Sequence, residues 1–108
     1  LIDCDYSGIS GTITVGRGGV GGAASNGTLN VSGEDGNFGI ASTASGNCSG
    51  IGGNTPYGSG GNAVTGSVNG NAGSGFGSGG SGASTDGSTN RNGGNGAPGV
   101  IVVTEYIK

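Results

Sequence analysis

Glycine occupies 31 of the 108 positions, and no other feature constrains the fold of this chain so strongly. Fixing one residue's backbone costs roughly 1–2 kcal/mol, and glycine gives up the most freedom. Side-chain burial cannot offset that cost where there is no side chain. Leu, Ile, Val and Phe together fill fewer than a fifth of the positions, too few for an ordinary apolar core. The net charge is only -3, so electrostatic repulsion does not hold the chain open. What remains is backbone hydrogen bonding, helped by the close approach that a missing Cβ permits. A three-residue-per-turn polyproline-II backbone points its N–H and C=O groups outward, where neighbouring segments can pair them. The expected fold is therefore mostly irregular and β. It is a glycine-rich polyproline-II (polyglycine-II-like) bundle, closed by a small β-sheet of N- and C-terminal strands. No α-helix is expected, because each interior glycine costs a helix about 1 kcal/mol.

The length suits one domain, residues 1–108, with an N-terminal strand region (1–15), a glycine-rich body (16–99) and a C-terminal strand (100–108). In the first part Ile9, Ile13 and Val15 alternate with Thr12 and Thr14, the pattern of a half-buried strand. A shorter strand is expected over Thr28–Ser32, after the Asn26-Gly27 turn. The most apolar run, Val100 to Ile107, comes after Pro98-Gly99 and reads as a strand covered on both faces, with Tyr106 in the core. These strands are expected to pair with one another. Through the body, glycines recur at spacing three: Gly16, Gly19, Gly22; Gly33, Gly36, Gly39; Gly93, Gly96, Gly99. Such pairs outnumber the composition's own expectation. Their phase breaks repeatedly, which excludes an unbroken collagen register.

The motifs that resemble chemistry have plain explanations. Gly16-Arg17-Gly18-Gly19-Val20-Gly21 matches the dinucleotide pattern G-x-G-x-x-G, but the next residues, Gly22 to Gly27, cannot propagate the helix that the pattern serves. The chain has no histidine to act as base for a nucleophile, and no Ser-x-x-Lys. Asp3 with Asp5, or Glu34 with Asp35, reads as a solvated acidic turn rather than a calcium site. The three sequons at Asn26, Asn30 and Asn47 are expected by accident in so much Asn, Ser and Thr. Arg17, Arg91 and Lys108 are the only cations, which argues against nucleic acid. No apolar stretch approaches a membrane span, so no membrane insertion is expected. No cofactor or metal site is expected, and the chain reads as no enzyme.

Cys4 and Cys48 either form a disulfide closing a long loop or remain buried thiols; a bridge would suit an extracellular setting. The opening Leu1-Ile2-Asp3-Cys4-Asp5 lacks a basic leader, and Leu in first place reads as a piece of a longer polypeptide. Tyr57 and Phe76 sit in glycine-flanked turns, where an aromatic either caps the open end of a bundle or stands out as a contact residue.

Two elements resemble a known family. Ser10-Gly-Thr-Ile-Thr-Val-Gly-Arg-Gly-Gly-Val-Gly-Gly22 is similar to the "TVTVGAGGAGG" element of glycine-rich domains at the C-termini of bacteriophage tail fibres and tail-tip proteins. Gly94-Asn-Gly-Ala-Pro-Gly-Val-Ile-Val-Val-Thr-Glu-Tyr-Ile107 looks like their closing "GAPGVVIVEEY". Pro56 to Gly61 and Gly75 to Gly80 fall where those domains carry "YGAGGGG" segments. The resemblance runs from about residue 6 onward; the additional opening strand and long glycine run of such domains are missing. It implies a place on the virion tail and attachment to the host, through a bacterial surface glycan or outer-membrane protein. It also implies self-association as a homotrimer or fibre. The candidate contact residues are Asn54, Tyr57, Phe76, Asn90, Arg91 and Asn92. A structural subunit of an extracellular fibre is the alternative, and an antifreeze protein a more distant one.

Overall fold

The computed structural model describes residues 13–16, 19–42 and 47–108. Among them there is no helix, as the glycine content requires, and only two short antiparallel ladders. β1 (Ile13–Gly16) pairs with β2 (Gly39–Ser42), placing Thr14 opposite Ala41 and Val15 opposite Ile40. β3 (Gly58–Ser59) pairs with β4 (Ser74–Gly75).

Beyond these ladders the backbone forms no regular strand; it is arranged as runs over residues 19–24, 31–38, 47–55, 58–65, 68–75, 77–84 and 91–98, two of which carry β3 and β4 at one end, held together by main-chain hydrogen bonds. The spacing of those bonds is their main property. Gly33 and Gly36 donate to the carbonyls of Gly22 and Gly19. Glu34, Asn37 and Ile40 donate to Asn54, Ile51 and Cys48. Ser49 and Gly52 donate to Val64 and Gly61, while Gly79 and Gly82 donate to Gly53 and Gly50. Ser81 and Ser84 donate to Asn71 and Val68, and Gly94 and Ala97 to Ser81 and Ser78. In every series both partners advance by three residues, with the numbers running in opposite directions. Gly70 to Asn92 and Gly73 to Asn95 advance by three in the same direction, so those two runs lie parallel. A β-ladder repeats every two residues; these pairings do not.

Run 77–84 is the centre, bonded to the runs 47–55, 58–65, 68–75 and 91–98. Its buried side chains are Ser78, Ser81 and Ser84, each no more than 4% exposed. They also step by three. The other buried side chains are small: Ser49, Cys48, Ala63 and Val64. The buried hydroxyls bond main-chain groups, mostly of neighbouring runs. Ser78 donates to the Ser74 carbonyl (2.7 Å) and Ser84 to that of Asn47 (3.3 Å). Ser81 accepts from the Asn71 amide at 2.8 Å, and Ser49 from the Val64 amide at 2.9 Å. No buried side-chain polar atom among the described residues lacks a partner, which an interior this polar requires.

Glycine makes the packing possible. Gly61 and Gly94 both stand against the carbonyl of Asn71, and a Cβ on either would overlap that oxygen. The molecule is elongated, 66 × 21 × 19 Å.

Three strand expectations are corrected. Residues 100–108 form no strand; after Pro98 the chain leaves the bundle, and Ile101, Val103, Tyr106 and Ile107 are each more than 80% exposed. Tyr106 is therefore not a core residue. Val100 to Ile107 has β-forming side chains but pairs with no neighbouring backbone among the described residues, and a strand needs an edge. Residues 28–32 form a turn and its exit, with Leu29 83% exposed. Asn26 takes a positive φ of 65°. The Asn30 side chain closes the turn, accepting from the Gly27 amide and donating to its carbonyl. The expected strand from Ile9 survives as β1 over its described part; residues 9–12 lie outside the described residues. Its partner is β2, not the chain's far end, and Val15 is exposed rather than half-buried.

Gly61→Ala is expected to lower stability by about 1–3 kcal/mol, as overpacking does, a fall in Tm of at least several degrees for a domain of this size. Gly22→Ala, whose Cβ would meet nothing within 4 Å, should leave Tm unchanged or slightly raised. Thermal melts followed by circular dichroism compare the two.

Candidate functional site

Two adjoining turns at one end of the bundle carry exposed aromatic rings. In the first, Thr55 and Gly58 exchange main-chain bonds of 2.9 and 3.3 Å around Pro56 and Tyr57. In the second, Gly75 and Gly77 take φ of 74° and 73° on either side of Phe76, a conformation that side chains rarely adopt. The turns lock to each other. The Phe76 amide donates to the Tyr57 carbonyl at 3.0 Å, and the Thr55 hydroxyl donates to the Phe76 carbonyl at 2.6 Å. The Thr55 oxygen also accepts from the Tyr57 amide at 3.2 Å. Gly77 donates to Pro98 at 2.6 Å, which ties in the run that leads to the apolar tail.

With their backbones fixed, the rings face outward: Tyr57 is 58% exposed and Phe76 46%. Neither ring is a buried core residue, and both are open to a partner at the bundle's end. Asn54, by contrast, is structural, since its Oδ1 accepts from the Gly60 amide at 2.9 Å. Leu29 joins the same end, because Gly33 pairs with Gly22 and Glu34 with Asn54; its turn therefore lies beside the other two. Sequence reasoning missed Leu29, having placed it in a strand.

Asn90, Arg91 and Asn92 lie at the opposite end, one full run away. Run 77–84 starts beside Phe76 and ends in the turn that precedes them. Arg91 Nε donates to Ser67 Oγ at 3.2 Å, and the Asn92 amide to Asn69 Oδ1 at 3.1 Å. The six candidate residues are thus divided between two ends and make no single site.

The turn at this second end is organised by Asp86. Its carboxylate accepts from the Ser88 hydroxyl (2.6 Å) and amide (2.9 Å). These bonds, the hydroxyl's foremost, hold its pKa below the ordinary 3.8, because both favour the charged form.

A side groove of about 810 Å³ runs between 19–22, 33–41, 47–53 and 77–87, walled largely by glycine backbone with Val20, Glu34 and Ile51. Cys48 on its wall is buried and disulfide-bonded; the expected partner, Cys4, lies outside the described residues. No group of three or more metal-ligating side chains gathers among the described residues. No helix among them is long and apolar enough to cross a membrane. No protein-family model, curated protein or solved structure matches the chain.

An NMR titration of Asp86 should give a pKa below the ordinary aspartate value, and Ser88→Ala should bring it back up. Since the folded-state value is the depressed one, the turn's contribution to stability is present above the unfolded pKa. It is lost as pH falls through the folded pKa.

Proposed function

We propose that this chain is an attachment module rather than an enzyme: a rigid bundle whose aromatic end binds the bacterial surface, as part of a phage tail-fibre tip. The observation that carries the reading is the pair of outward rings, Tyr57 and Phe76, on turns locked by main-chain bonds. Aromatic residues that expose their faces on a rigid scaffold are the usual anchors of recognition. Little entropy is lost when such a ring is covered, because its backbone is already fixed. A surface glycan or an outer-membrane protein loop would lie across both rings, with Leu29 beside them. The family resemblance of the closing element supports the virion-tail setting.

The scaffold in this reading is a polyglycine-II bundle, each run a three-residue-per-turn helix. The three-residue step of the hydrogen bonds and the Ser78, Ser81, Ser84 series support it, since a period of three returns the same face to the same neighbour. The absence of histidine from the sequence supports the non-enzymatic part.

A second reading, a structural subunit of an extracellular fibre, is favoured by a different observation: the exposed apolar residues of 100–107, which suit association with further chains.

Replacing Tyr57 and Phe76 together by Ala should reduce adsorption to host bacteria at least about tenfold, the scale of losing interface anchors, with the circular dichroism spectrum unchanged. Unchanged adsorption with an intact fold would remove the aromatic end from the attachment role.

A further inference from the structure

The segment after Pro98 carries the longest run of exposed apolar side chains among the described residues. Val100, Ile101, Val102, Val103, Tyr106 and Ile107 are between 42% and 91% exposed, and none of residues 100–108 belongs to a ladder. Alternate side chains of an extended segment point to opposite faces. One face would carry Val100, Val102 and Tyr106, and the other Ile101, Val103 and Ile107. Both faces are apolar, so turning one inward would still leave the other in water. We infer that this segment is the contact by which a second copy of the chain binds, tail against tail.

Three features select an identical chain as the occupant. The first is composition. Val, Ile, Thr and Tyr with no Pro or Gly and nearly balanced charge, Glu105 against Lys108, make a segment whose preferred partner is its own kind. Two such tails meet without like-charge cost, and their unpaired N–H and C=O groups complete each other as a ladder does. The second is area. The six exposed apolar residues present on the order of 800 Å² over both faces together, so a partner that lies along both can bury the share that each contributes to a standard stable interface. The third is position. The last main-chain bond of the bundle in this region is Gly77 to Pro98, so the tail emerges at the bundle's end, clear of the packed runs, where a second tail can lie along it.

This inference rests on the reading of the chain as a structural fibre subunit, since it names the segment through which copies associate, and it does not depend on what the aromatic end binds. The test is the mass of the full chain in solution, by light scattering coupled to size exclusion or by sedimentation at tens of micromolar. The parent chain should show at least twice the mass of one chain. Ile101→Glu with Val103→Glu places two further carboxylates on the face of Glu105. It should yield the single-chain mass, with the dissociation constant raised at least about 100-fold. The bundle's dichroism and Tm should be unchanged, because the tail is outside the packed runs. A Tyr57→Ala, Phe76→Ala variant should keep the parent mass. A parent chain of single mass would overturn both this proposal and the structural reading. A doubly substituted chain that keeps the parent mass would overturn the tail's role while leaving self-association standing.

Discussion

Backbone packed directly on backbone is the interaction on which the rest of this structure depends. Main-chain groups are strong and obligatory hydrogen-bonding partners, but in most folds side chains hold neighbouring segments too far apart for more than one lateral direction of pairing. Here run 77–84 reaches four neighbours through its own N–H and C=O groups. That needs carbonyl oxygens to sit where a Cβ would be, as the Asn71 carbonyl does against Gly61 and Gly94. The glycine content is the condition for this contact. Its conformational cost is met by bonding in several directions and by van der Waals contact between main chains.

The interior that results is polar. Serine takes the positions that valine or leucine hold elsewhere, because its side chain is small enough for the spacing and its hydroxyl satisfies the polar groups around it. Ser81 illustrates both roles: its amide donates to the Asn71 carbonyl while its Oγ accepts from the Asn71 amide. Apolar side chains are displaced outward. Two of the largest, Tyr57 and Phe76, end on turns at one end of the bundle, and six more follow one another closely in the tail.

The absence of helix and the mostly irregular backbone were legible in the glycine content, and the fate of the apolar runs was not. Gly33 and Gly36, three apart, both donate in the three-residue step, whereas in the last run the donors are Gly94 and Ala97 rather than Gly93, Gly96 and Gly99. The absence of helix came from propensity. The Ser78, Ser81, Ser84 series was equally visible and was overlooked, because buried residues were sought among apolar ones. The strand rules failed at Val100 to Ile107 for a physical reason. β-propensity measures how well side chains fit a half-buried pleated surface, and among the described residues the tail meets no such surface. At the candidate site, the exposed aromatics between glycines were foreseen. The division of the six candidates between two ends was not, since it is set by the order and direction of the runs.

The most direct test of main-chain packing as the source of stability is amide hydrogen exchange read residue by residue. The glycine amides at Gly52, Gly61, Gly70, Gly79 and Gly94, which donate between runs, should all exchange at least about a thousandfold slower than a free chain and share one protection level, as a single cooperative unit does. The amides of Val102 and Val103, measured on dilute single chains, should exchange at the free-chain rate. If the bundle glycines exchanged as fast as those of the tail, the lateral bonds would not be holding the molecule together, and this explanation of the fold would be wrong.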